Sequence, residues 1–283
     1  MEGLILVRKE KGMTSHDVVN IMRRVLNTRK VGHSGTLDPN VEGVLCIFVN
    51  NATKAITFME DKTKEYHCIL KLGSATSTED SDGEIVETKN VNLPLNKEKV
   101  LEVLDSFVGD SEQIPPMISS VKINGKKLYE YAREGIEVER KPRPINISSI
   151  ELISIQEDEI EFIVNCSSGT YIRTLCVDIA KKLDTVGHMK HLIRTRVGEH
   201  RIENCSTIEE IKEGNFKIFS VLEALKGYET YEVTDKELID VKNGKKLKLN
   251  CKNDIILLTN NNSALAMYER INGNIYSSKR GLW

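Results

Sequence analysis

The chain has 283 residues, 40% hydrophobic and 29% charged, with a formal net charge of −2. Such a length accommodates one large domain plus a small one and buries a core without metals or cross-links. A near-neutral total excludes a uniformly basic nucleic-acid binder, so any nucleic-acid partner would have to be held by local basic patches. The six cysteines are scattered and form no Cys-x-x-Cys pair, which argues against a zinc site or a disulfide framework and fits reduced thiols in the cytosol. Met1-Glu2-Gly3-Leu4 lacks the basic start and long apolar run of a signal peptide. No apolar stretch of about 18 residues is present, so no membrane helix is expected.

Leu4 to Val7 reads as a buried strand. Thr14 or Ser15 can cap a helix that carries Val18, Val19, Met22, Val25 and Leu26 on one face. Residues 31–40, with two glycines and a proline, read as a loop. Strands are expected over Val44–Val49 and Glu65–Leu72, and a polar, turn-rich stretch over Gly73–Gly83. Val100, Leu101, Leu104 and Phe107 have helical spacing. Gly109–Arg143 reads as irregular, with a local charge of +3 between Lys122 and Arg143. Ile160, Phe162 and Val164 alternate as in a half-buried strand, and a helix with Ile172, Leu175, Cys176, Ile179 and Leu183 inward follows Ser168-Gly169-Thr170. A second basic stretch, Lys181 to Arg201, carries +4. After Gly227, short strands between Asn/Gly turns suggest a small all-β appendage. Helices and strands mix without a βαβ period, so the fold class is α+β.

The most informative segment is Gly32-His33-Ser34-Gly35-Thr36-Leu37-Asp38-Pro39. Pro39 biases Asp38 towards an extended backbone, and the glycines allow a substrate backbone to approach closely. Taken alone, Asp38 would be read as a turn or cap residue, His33 as a loop histidine, Tyr66 and Tyr171 as core or rim tyrosines, Arg173 as a surface salt-bridge residue, and Leu192 as core. His188 and His191 do not make a metal site without further ligands. Asp80-x-Asp82-Gly83 resembles the start of a calcium loop, but Val91 stands where its bidentate glutamate belongs. No metal or cofactor is expected.

The octet closely resembles the G-H-[ST]-G-x-L-D-P motif of the TruB family of pseudouridine synthases. Further segments resemble that family in order. Lys9 and Gly12 fit its K-P-x-G element, with Glu10 in place of the proline. Lys64-Glu65-Tyr66 matches the strand that supplies a tyrosine, and Thr76-x-Thr78-x-Asp80-x-x-Gly83 the polar loop after it. Gln113-Ile114-Pro115-Pro116-Met117 through Lys126-Lys127-Leu128-Tyr129 to Arg133-x-Gly135 resembles an RNA-gripping thumb. Cys166 to Thr174 matches C-x-x-G-T-Y-I-R, and Leu192 and Arg194 fit a Leu-Arg-Arg element in which Ile193 departs. The matches span residues 3–225.

The resemblance implies a pseudouridine synthase fold over 1–227, with a central mixed, mostly antiparallel sheet flanked by helices and a thumb at about 110–143. A PUA-like RNA-binding domain over 228–283 would follow. It implies conversion of uridine to pseudouridine at position 55 in the tRNA T-loop, with Asp38 as catalytic carboxylate. His33, Tyr66, Tyr171, Arg173 and Leu192 would bind the flipped nucleotide, and Arg173 nearby would keep Asp38 charged. Lys9, Asp80, Lys126, Lys127, Arg133 and Arg194 would contact RNA. The expected partner is the tRNA T-stem-loop, with no guide RNA and no membrane, for a cytoplasmic monomer.

Competing readings are a tRNA-folding helper with secondary catalysis and a guide-dependent synthase acting on ribosomal RNA. A glycoside hydrolase would need a second carboxylate at defined separation, and no second acid has a motif behind it.

Overall fold

The computed structural model describes residues 1–59 and 62–283. They form two compact units, one made of Met1–Pro39, Gly43–Lys62 and Glu199–Trp283, the other of Asn40–Glu42 and Thr63–Gly198.

The chain opens with β1 (Gly3–Lys9), α1 (Ser15–Val25), β2 (Val31–Ser34) and β3 (Glu42–Val49). Strand β3 pairs antiparallel with β1 and also with β2. Helix α1 starts at a reciprocal cap: the Thr14 hydroxyl accepts from the Asp17 N–H, and the Asp17 carboxylate accepts from the Thr14 N–H. Its apolar face, Val18, Val19 and Met22, packs with Ile5, Val7, Leu45 and Ile47 in one core, which also takes in Ile208 and Ile211. The expected loop over 31–40 is corrected at its start, because residues 31–34 pair with β3. That pairing is a tertiary hydrogen-bonding event, and a four-residue polar segment carries no periodic signal for it.

The other unit runs through β4 (Lys64–Leu72), β5 (Ser74–Thr76), β6 (Ile85–Thr88), α2 (Lys97–Asp105), β7 (Gly109–Gln113), β8 (Lys122–Ile123), β9 (Lys126–Lys127), α3 (Leu128–Arg133), β10 (Arg143–Gln156), β11 (Glu159–Cys166), α4 (Ile172–Lys182) and β12 (Gly187–Val197). Its sheet has the order β12-β4-β11-β10-β7, every pair antiparallel. In β4 and β11, alternate residues are buried, as their sequence period requires. Helix α4 covers one face, where Cys176 Sγ lies 3.5 Å from Cys68 Sγ of β4. The stretch expected to be irregular, 109–143, contains β7, the tiny β8–β9 hairpin and the short helix α3.

The remainder holds β13 (His200–Arg201), α5 (Ile208–Lys212), α6 (Val221–Ala224), β14 (Glu229–Glu232), α7 (Asp235–Lys242), β15 (Leu247–Lys248), β16 (Ile255–Asn260), β17 (Ser263–Asn272) and β18 (Ile275–Gly281). A five-stranded sheet of order β14-β16-β17-β18-β15 has its own core around Ile256, Leu258, Tyr268 and Tyr276. Its two buried phenols donate to backbone carbonyls, Tyr268 to Lys245 at 2.9 Å and Tyr276 to Asn253 at 2.7 Å. Helix α7 adds to the all-β expectation for this segment. Among the described residues, no helix is long and apolar enough to cross a membrane.

Candidate functional site

Asp38 lies in the turn between β2 and β3, half-buried. Both of its neighbours are fastened. Ser15, the first residue of α1, accepts a hydrogen bond from the Leu37 N–H at 2.9 Å and donates to the Leu37 carbonyl at 3.3 Å. The Pro39 carbonyl accepts from the Gly12 N–H at 2.9 Å and from the Lys9 ammonium at 3.0 Å. Lys9 is completely buried. Its ammonium also donates to the carbonyls of Glu10 at 2.8 Å and Met13 at 2.6 Å. Three fixed carbonyl dipoles replace the hydration a buried ammonium has lost. Gly35 takes the positive φ of 81° that turns the chain towards Asp38. The acid therefore stands on a rigid turn.

The second unit gathers another group of side chains. Tyr66 on β4 faces Arg194 on β12 in register, and Cys68 faces Leu192. All four are buried and share the sheet face covered by α4. At the head of that helix sit Tyr171, its N-cap residue, and Arg173, which is 4% exposed. The Arg173 guanidinium donates to the carbonyls of Thr78 at 3.0 Å and Ile118 at 2.8 Å, and pairs with the Asp80 carboxylate at 3.7 Å. The loop carrying Asp80 is itself held. The Asp80 carboxylate accepts from the Thr78 hydroxyl and the Asp82 N–H, and the Glu79 carbonyl and Ser81 N–H bond to Met189 of β12. Gly83 is required there, since a Cβ would lie 2.5 Å from the Thr78 hydroxyl. Next to it, Glu79 accepts from the Thr174 hydroxyl at 2.8 Å, and burial raises its pKa against the opposing pull of that bond and of Arg173.

Lys64 opens β4 on the same side, its ammonium 3.3 Å from the Ser168 hydroxyl. Burial, with the Arg194 charge second, lowers its pKa to about 8. Neighbouring Cys166 is pushed up to about 11, mainly by burial. Among the described residues, no three His, Cys, Asp or Glu side chains converge as a metal site.

Comparison with known proteins places the chain in a family. Residues 23–172 match the TruB family pseudouridylate synthase N-terminal domain, and residues 173–219 match the tRNA pseudouridylate synthase B C-terminal domain. The chain belongs to the TruB family. It is 47% identical to tRNA pseudouridine synthase B of Bacillus pumilus over 255 residues, 86% of this chain and 82% of that one. Against tRNA pseudouridine synthase B of Geobacillus thermodenitrificans it is 43% identical over 285 residues, covering 95% and 94%. The fold resembles a chain in a Cbf5-Nop10-Gar1 complex, with a TM-score of 0.73 at 22% identity over 99% of this chain and 85% of the other. A chain of the archaeal box H/ACA sRNP Nop10-Cbf5 complex gives 0.72 at 22%, over 99% and 86%. These matches support the expected pseudouridine synthase fold with a PUA-like C-terminal sheet.

For a TruB-family member, the expected substrate residues fall into the two groups above: His33 and Asp38 on the β2–β3 segment, and Tyr66, Tyr171, Arg173 and Leu192 around the head of α4. Two residues expected to reach RNA do not face solvent. Lys9 and Arg194 are each 0% exposed. Lys9 is turned inward by backbone carbonyls that a free RNA-facing lysine would not meet, and Arg194 occupies the inward side of β12. Asp80 serves as the partner of Arg173. The Lys181–Arg201 stretch is not a continuous basic surface either: Lys190 pairs with Glu159, and Arg196 donates to the Gly198 carbonyl and Asn165. In the thumb segment, Lys126 pairs with Glu134 and lies over Tyr131, while Lys127 and Arg133 both lie 5.3 Å from the Tyr129 ring centre. Ser15 is expected from the sequence only as a possible helix cap, a role that Thr14 takes, and Glu79 is not singled out, because neither residue type carries a signal for what it holds.

Two outcomes follow from Lys9 and Lys64. Lys9→Met keeps the aliphatic stem, removes the ammonium donor from the Glu10 and Met13 carbonyls, and leaves the Pro39 carbonyl with the Gly12 N–H alone of the two. Unfolding free energy from urea titration should fall by about 1–3 kcal/mol, and unchanged stability would contradict the bracing role. Lys64 loses its proton near pH 8 when folded but near 10.5 when unfolded. Below pH 8, folding must carry a penalised charge, and that penalty fades as the pH rises through this window. Lys64→Gln should therefore be more stable than wild type at neutral pH, on the order of 1–3 kcal/mol, with the gap closing towards pH 10. A gap independent of pH would contradict it.

Proposed function

We propose that this pseudouridine synthase converts a uridine to pseudouridine in the T-loop of tRNA, at position 55, with Asp38 as the reacting carboxylate. The observation that carries the reading is the braced Asp38 turn, fastened at Leu37 by Ser15 and at Pro39 by Lys9 and Gly12, within the family's octet. The reaction breaks the N1–C1′ bond, turns the base and rejoins it through C5. The C5 proton is lost and N1 ends protonated, so substrate and product are isomers and no redox partner is consumed. Attack at C1′ and proton removal at C2′ both call for one ionised carboxylate held in place.

A stacked uridine hides C1′, so the nucleotide must leave the stack at a cost of a few kcal/mol. His33 fills the gap left behind. Tyr66 stacks on the base and takes the C5 proton, directly or through water. Tyr171 and Arg173 flank the nucleotide, and Leu192 walls out the water that would divert the reaction to hydrolysis. The thumb cations Lys126, Lys127 and Arg133, with the PUA-like domain over 228–283, grip the RNA backbone by charge and shape. Relatives more than 40% identical are named tRNA pseudouridine synthase B, which supports tRNA as the substrate. The enzyme acts as a cytoplasmic monomer without a guide RNA.

Asp38→Ala should abolish pseudouridine formation in a T-stem-loop transcript, mapped at nucleotide resolution, while tRNA affinity stays within a few-fold of wild type. Modification that persists in this variant would refute the assignment of Asp38. Wild-type protein that binds tRNA without modifying it would favour a folding helper.

A further inference from the structure

Gln113 closes β7 and is buried at 6% exposure. Its side-chain amide is set against the backbone of Tyr171. Nε2 donates to the Tyr171 carbonyl at 3.0 Å, and Oε1 accepts from the Tyr171 N–H at 2.8 Å. A primary amide is the neutral side chain that offers donor and acceptor side by side, so it can pair with a peptide much as a neighbouring strand would. Tyr171 needs such a partner. It is the N-cap of α4 in an extended conformation, φ −98° and ψ 110°, and its own side chain makes no capping hydrogen bond.

The chain that follows Gln113 continues the same fastening. Pro115 and Pro116 are buried, Arg140 returns from the far end of the segment to donate to the Pro115 carbonyl at 3.2 Å, and the Ile118 carbonyl accepts from Arg173. The root of the thumb segment thus holds the two helix residues expected to flank the nucleotide, one through a side-chain amide and one through a backbone carbonyl.

We propose that Gln113 is a positioning residue for the isomerisation: its amide pair sets the backbone of Tyr171 and, through the first turn of α4, the aim of Arg173. This rests on the reading of Tyr171 and Arg173 as substrate residues. Gln113 touches no substrate itself. Its loss acts on the rate of the bound complex, because misplacing a flanking group costs rate more than it costs an RNA grip spread over many phosphates.

Three proteins test this by single-turnover pseudouridine formation at saturating T-stem-loop RNA, with affinity measured separately. Gln113→Met keeps the shape and loses both hydrogen bonds. Its rate should fall on the order of tenfold to a hundredfold, with affinity within about threefold of wild type. Gln113→Glu is the decisive variant. A protonated carboxyl again offers donor and acceptor side by side, whereas the carboxylate can only accept and faces the Tyr171 carbonyl. Its rate relative to wild type should rise as the pH falls from about 8 to about 5, while Gln113→Met stays flat on the same scale. A merely structural glutamine would produce no such pH-dependent recovery. The positioning role is overturned if Gln113→Met matches wild type, if affinity falls in parallel with rate, or if Gln113→Glu follows Gln113→Met at every pH. Should Gln113→Met fail to fold, the Gln113→Glu profile still decides. Inactive wild-type protein would instead refute the functional reading itself.

Discussion

A guanidinium taken almost entirely out of water organises the side chains at the head of α4. Leaving an arginine buried costs several kcal/mol unless its donors and charge are met. Arg173 meets this condition with two backbone carbonyls and a carboxylate, those of Thr78, Ile118 and Asp80. Each partner belongs to a different stretch of chain or is itself tied to β12, so the charge cannot move without disturbing several elements. The planar fork of arginine suits this task and a lysine does not, since these oxygens are met by three different nitrogens of the guanidinium and a single ammonium nitrogen would have to reach them all. What the fold gains is a positive charge whose direction is set before any substrate arrives, the form of electrostatic preorganisation that needs no rearrangement during reaction.

The same logic operates around Asp38. There the buried cation is Lys9, and its ammonium donates to the carbonyls of Glu10, Met13 and Pro39. Its role is to brace the turn. Ser15 completes the brace by holding both backbone groups of Leu37 with one hydroxyl, placed there because it is also the first residue of α1. The helix cap, the core face of α1 and the rigidity of the acid's turn are therefore one structure, and a change in any of them reaches the others.

The regular elements were legible in the sequence where burial imposes a period. Strands β4 and β11 alternate, β1 and β3 are apolar runs, and α1 and α4 repeat at helical spacing. Strand β12 was missed because charged residues, Lys190, Arg194 and Arg196, interrupt its apolar positions. Helix α7 was missed although Thr234-x-x-Glu237 is a capping box and both of its hydrogen bonds form. The octet made Asp38 legible as a resemblance. The inward turn of Lys9 and Arg194 was not legible, because residue type argues for exposure and only the completed fold supplies the oxygens that make burial tolerable. Gln113 was visible as part of a motif, yet its task depends on Tyr171, 58 residues away in sequence.

In the proposed reaction, the fixed guanidinium at the head of α4 serves the chemical step rather than the RNA grip. The most direct measurement is single-turnover pseudouridine formation by Arg173→Lys at saturating tRNA, alongside its tRNA dissociation constant. The rate should fall by about a hundredfold with affinity close to wild type, because lysine keeps the charge and loses the fork. A rate equal to wild type, or a loss confined to affinity, would contradict it.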